Sequence, residues 1–123
     1  MSDEIGWARE VAEGVLGRLG DFAPQWRVLA VDRDGTGSLL VTIGRDDRDR
    51  APVQVYLSLD VPADEAVAIT AGQIQDHAIE ATSGAALPPC PGHRHPLTTL
   101  SVDGIACWVC PWDAAHHLEP ILP

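Results

Sequence analysis

Apolar residues recur at three- and four-residue steps from Asp3 to Leu19, at Ile5, Ala8, Val11, Ala12, Val15 and Leu19, with Glu4, Arg9, Glu13 and Arg18 between them. That spacing predicts an amphipathic helix, with Ser2 to cap its first turn and Gly20 to end it. The period then changes to two. Trp26, Val28 and Ala30 alternate with Arg27, Leu29 and Val31; a turn at Asp34-Gly35 follows, and Leu39, Val41 and Ile43 alternate again, predicting a hairpin. After the charged stretch Arg45 to Arg50, Val53, Val55, Leu57 and Leu59 share one face of a third strand whose other face is polar.

Pro62 stops that strand and suits a first helical turn, where Asp64 and Glu65 favour the helix dipole. Val67, Ala71, Ile74 and Ala78 give the second helix its apolar stripe as far as about Ala81, although Gly72 weakens its intrinsic propensity. From Ser83 the composition shifts through Gly84 and Pro88-Pro89 into a Cys- and His-rich tail. The expected class is α+β: an N-terminal helix, a three-stranded antiparallel sheet and a second helix form a core over 1–87. A zinc-ribbon-like hairpin over 88–123 packs on that core.

At 123 residues the chain supports one compact core, and 46% hydrophobic against 21% charged residues excludes disorder as a whole-chain reading. All eight basic residues are Arg, and Lys and Asn are absent, a bias that points to a GC-rich genome. A formal net charge of −10 disfavours nucleic acid. The Arg45 to Arg50 stretch is interleaved with acids and reads as a solvated loop. The acidic start Met-Ser-Asp-Glu is unlike a secretory signal, and no apolar run approaches the roughly 20 residues that span a bilayer. A cytoplasmic location is expected, and in a reducing compartment clustered Cys and His point to metal before disulfide.

Two short knuckles stand in the tail: Cys90-Pro-Gly-His93, where proline and glycine permit a tight turn, and Cys107-Trp-Val-Cys110, closed by Pro111. Zinc favours four N or S ligands in a tetrahedron, and each knuckle can supply two. Between them, Leu97 to Val102 and Ile105 to Cys110 read as strands joined at Asp103-Gly104. Counting outward from Val102 opposite Ile105 sets Leu100 across from Cys107 and Leu97 across from Cys110, which brings the knuckles together. The expected ligands of a structural zinc are therefore Cys90, His93, Cys107 and Cys110. His95 is an alternative ligand or a group that orients one, since Pro96 pushes it toward an extended conformation. Trp108 and Trp112 flank the second knuckle and are expected to shield it.

Other motifs fall short. His77 and Glu80 with Pro89-Cys90-Pro-Gly-His93 approach the zinc-deaminase signature, but Glu80 is one residue too far and His93 replaces the second Cys. Asp32-Arg-Asp34-Gly-Thr-Gly37 opens like a calcium loop, yet position twelve is Ile43 where the bidentate Glu belongs. His116-His117 reads as exposed tail.

The stretch Pro88-Pro-Cys-Pro-Gly-His-Arg-His-Pro-Leu97 with Ala106-Cys-Trp-Val-Cys-Pro111 resembles that of small uncharacterised proteins of high-GC bacteria ending in a zinc-ribbon-like segment. The resemblance covers the last third and implies metal binding through the cysteines and His93. The functional expectation is a zinc-binding, non-enzymatic adaptor or regulatory module that engages another protein, with neither nucleic acid nor membrane as partner. Two alternatives stand beside it. One is a zinc-dependent hydrolase-type enzyme with an open metal position and a base such as Glu80 or Asp103. The other is a thiol-redox protein using Cys107 and Cys110.

Overall fold

A computed structural model describes residues 3–20, 25–45 and 51–122. The chain is α+β, with helix α1 (Glu4–Leu19), strands β1 (Arg27–Arg33), β2 (Ser38–Gly44) and β3 (Val53–Ser58), and helix α2 (Ala63–Ala81). Strands β4 (Thr98–Val102), β5 (Ile105–Val109) and β6 (Leu118–Pro120) follow. The strands form two antiparallel sheets of three, ordered β1-β2-β3 and β4-β5-β6. No helix among the described residues is long and apolar enough to cross a membrane.

Helix α1 starts at Asp3, whose carboxylate accepts from the Gly6 N–H at 3.0 Å, satisfying one of the free amides of the first turn. Ser2, the expected cap, lies outside the described residues, as does the charged loop beyond Arg45. Gly20, at φ +64°, ends the helix where a side chain would be strained. Val11, Val15 and Leu19 of α1 and Leu39, Val41, Ile43, Val55 and Leu57 of the first sheet are all buried. Each such side chain contributes about 1.5–3 kcal/mol relative to exposure.

The first strand departs from strict alternation. Val28 pairs with Ile43 but Ala30 pairs with Thr42, so Leu29 is an extra residue in a bulge, and Val28 and Val31 are the buried pair.

Helix α2 lies between the sheets, packing on β3 on one side and on β4 and β5 on the other. It also closes the outer edge of β3. Tyr56 N donates to Gln73 Oε1 at 2.9 Å, and Gln73 Nε2 returns a bond to Tyr56 O at 2.7 Å. One buried cluster thus runs from Ala8 through Ile74 to Leu97, Trp108 and Ile121.

Asp103 and Gly104, both at positive φ, make the two-residue β4–β5 turn, and the ladder pairs Val102 with Ile105 and Leu100 with Cys107. Strand β6, absent from the sequence expectation, returns the tail to β5. Arg18 of α1 grips Glu119 of β6 through Nε at 3.1 Å and a terminal nitrogen at 2.7 Å, tying the two ends of the chain together.

Candidate metal centre

Residues 88–97 form a loop with both ends pinned. Leu97 N donates to Pro88 O at 2.9 Å, and the buried Gln75 of α2 donates to the carbonyls of Leu87, at 3.0 Å, and Leu97. Inside it, His93 N donates to Cys90 O at 3.1 Å and Gly92 takes φ +77°, giving the tight turn that Pro91 and Gly92 suggest. Cys90 N donates to His95 O at 3.2 Å, which sets His95 beside the turn. From the other side, Cys110 follows β5, its N–H donating to His117 O at 3.0 Å.

These constraints bring Cys90, His93, His95 and Cys110 together, with one donor atom from each within 4.8 Å of the others. His93 Nδ1 stands 3.4 Å from Cys90 Sγ and 3.6 Å from Cys110 Sγ. A tetrahedron with metal–sulfur bonds of about 2.3 Å and metal–nitrogen bonds of about 2.0–2.1 Å separates S from N by about 3.5 Å. The two separations from His93 Nδ1 therefore match sulfur–nitrogen edges of such a tetrahedron.

The second imidazole carries an independent sign. His95 Nδ1 lies 3.0 Å from Pro96 O, a carbonyl that can only accept, so Nδ1 holds the proton and Nε2 is left with a lone pair. That Nε2 is buried and has no hydrogen-bond partner among the described residues. A buried, unpaired nitrogen whose tautomer is fixed by a carbonyl on the opposite ring atom is the arrangement of a metal-ligating histidine.

Protonation without metal has the same sense. Burial, then the neighbouring His116 and His95, holds His93 below the ordinary histidine range, favouring the neutral ligating form. Burial, then the adjacent Cys110, pushes the Cys90 thiol up, so metal binding must displace its proton.

Cys107, expected from the knuckle spacing as a ligand, is not in this group. Cys107 lies within β5 and Cys110 one residue past its end, and side chains three apart along an extended chain point to opposite faces. Cys110 joins Cys90 in the core cluster, whereas Cys107 sits across from Leu100 and Pro120, its Sγ donating to Ile105 O at 3.4 Å. Burial alone raises its pKa, unlike the low-pKa thiol of a redox pair. His95 is the fourth member of the group.

Rings cover the site. Trp112, 75% exposed, lies 4.1 Å from the His95 ring and 5.0 Å from the His93 ring by centroid. His116, exposed as expected, nevertheless stacks on His93 at 4.4 Å and adds to the cover. Trp108 is instead fully buried in the shared core. No carboxylate among the described residues belongs to the donor group, Glu80 and Asp103 included. No protein-family model, curated protein or solved structure matches this chain.

Proposed function

We propose that this protein is a small non-enzymatic interaction module whose second sheet is held in place by one structural zinc ion on Cys90, His93, His95 and Cys110. The observation that carries the reading is the orphaned Nε2 of His95, with its Nδ1 proton committed to Pro96 O. Two thiolates and two imidazoles suit zinc, and four protein donors fill a tetrahedron, leaving no position for the water that a hydrolytic site activates. The metal's role would be to bolt the 88–97 loop to the end of β5, across a tail with few strand pairs of its own.

Native mass spectrometry with metal analysis, on protein purified without chelator, tests the reading. One zinc per chain in wild type, lost in His95→Ala and Cys110→Ser, is expected. Wild-type protein that is metal-free yet fully folded would overturn it, and a zinc-dependent hydrolytic turnover would move the protein to the enzyme class.

A further inference from the structure

The two sheets treat their edges next to α2 differently. On β3 the helix supplies Gln73, which takes both backbone groups of Tyr56. On β4 none of the described residues does the same. The Asp103-Gly104 turn makes Val102 and Ile105 a hydrogen-bonded pair, so alternation along the ladder turns the N–H and C=O of Thr99 and Ser101 away from β5. Among the described residues these backbone groups have no partner. Their side chains do not block the edge either, because Ser101 Oγ donates to Asp64 Oδ2 and Thr99 Oγ1 faces Gly72.

Along this edge runs a groove of about 240 Å³ between α2 and β4, lined by Glu65, Ala68, Ile69, Thr99, Leu100 and Ser101. Ile69 and Leu100 flank it at 54% and 50% exposure, room and surface for an aliphatic side chain. Charge selects the occupant. From Ala63 to Leu122 the chain carries seven carboxylates and a single permanent cation, Arg94. A second copy would bring like charges to the groove, whereas an extended segment alternating aliphatic and basic residues would pair with β4 and set its cations against Glu65 and neighbouring acids.

We infer that the β4 edge binds a basic, aliphatic strand of a partner protein by β-sheet addition. This inference deepens the interaction-module reading and rests on it. Thr99 is the discriminating position, since proline there removes only an outward-facing N–H, a substitution edge strands tolerate.

The experiment measures fluorescence anisotropy with a labelled heptapeptide of alternating valine and arginine, and with its valine–glutamate counterpart. Sedimentation, circular dichroism and zinc content are read on the same samples. The arginine peptide is expected to bind at least about tenfold tighter than the glutamate peptide, and Thr99→Pro to lose about tenfold with its spectrum unchanged. Leu100→Lys, a second variant that leaves the backbone free, should weaken binding as well. Equal binding of the two peptides, or unaltered binding by Thr99→Pro, would overturn the inference. So would a wild-type dimer that Thr99→Pro dissociates, because the occupant would then be a second copy. Zinc content is a separate readout: zinc-loaded protein that does not bind sinks the docking site alone, and metal-free protein that binds sinks the metal reading alone.

Discussion

Replacing Cys107 and Cys110 one at a time by serine tests the proposal that Cys110 holds the metal and Cys107, three positions away, does not. Cys107 is 2% exposed with its sulfur near the Ile105 carbonyl, so a serine hydroxyl is buried with an acceptor within reach. The expected cost is about 1 kcal/mol, the usual size of a buried polar exchange that keeps a hydrogen bond. For a domain of this size that lowers Tm by about 4 °C. Cys110→Ser removes a thiolate donor. Structural zinc contributes about 10–16 kcal/mol in small zinc domains, so an even share among four ligands is about 2.5–4 kcal/mol, or roughly seventyfold to nearly a thousandfold in affinity. The corresponding fall in Tm is about 10–16 °C at limiting zinc. Differential scanning calorimetry with and without chelator, beside metal analysis, reads both effects. Chelator should lower the Tm of wild type and Cys107→Ser alike and barely move Cys110→Ser. If Cys107→Ser lost zinc as completely as Cys110→Ser, the assignment of opposite strand faces would be refuted.

Gln75→Leu leaves the buried Leu87 and Leu97 carbonyls unbonded, so urea unfolding should show a loss of about 2–4 kcal/mol, and zinc affinity should fall with it. Trp112→Ala uncovers the two imidazoles while removing a mostly exposed side chain, so zinc transfer to a chromogenic chelator should accelerate with stability nearly unchanged. Zinc affinity should fall steeply with acid, by about a hundredfold per pH unit below the thiol range, because two thiols must lose protons on binding. Competition titrations between pH 6 and 8 would check this; an affinity flat over that range would contradict thiolate ligation. The Arg18 guanidinium beside Glu119 holds that carboxyl below its ordinary 4.5. A depressed carboxylate stabilises the fold above its unfolded pKa and loses that contribution as pH falls through the folded value. Arg18→Ala should therefore cost about 0.5–1 kcal/mol at neutral pH, with the difference from wild type shrinking below pH 4.5 in urea titrations.

Both helices, the first sheet and the β4–β5 hairpin were legible because each has a clean period and explicit stop signals, such as Pro62 after the third strand and Asp103-Gly104 at the turn. What escaped is where tertiary context overrides spacing. The bulge at Leu29 has no sequence mark, since Val28, Leu29, Ala30 and Val31 are all apolar and fit either register. Strand β6 is only three residues long and ends in proline, too short for any period to show, and it forms because Arg18 and the Cys110 amide hold it. At the metal site, Cys90 and His93 could be placed from the turn between them. The Cys-x-x-Cys spacing drew Cys107 in, whereas the donor group in the structure holds Cys110 without it, since side chains three apart along an extended chain face opposite ways. His95 needed the loop closure at Pro88 and Leu97 before its buried Nε2 could be recognised.

The most direct measurement is zinc-edge X-ray absorption on the protein as isolated. The account predicts two sulfur scatterers near about 2.3 Å and two nitrogen scatterers at about 2.0–2.1 Å, with multiple scattering from two imidazoles. Three sulfurs and one imidazole would return Cys107 to the metal and contradict the site, and an oxygen in place of one imidazole would open it to catalysis.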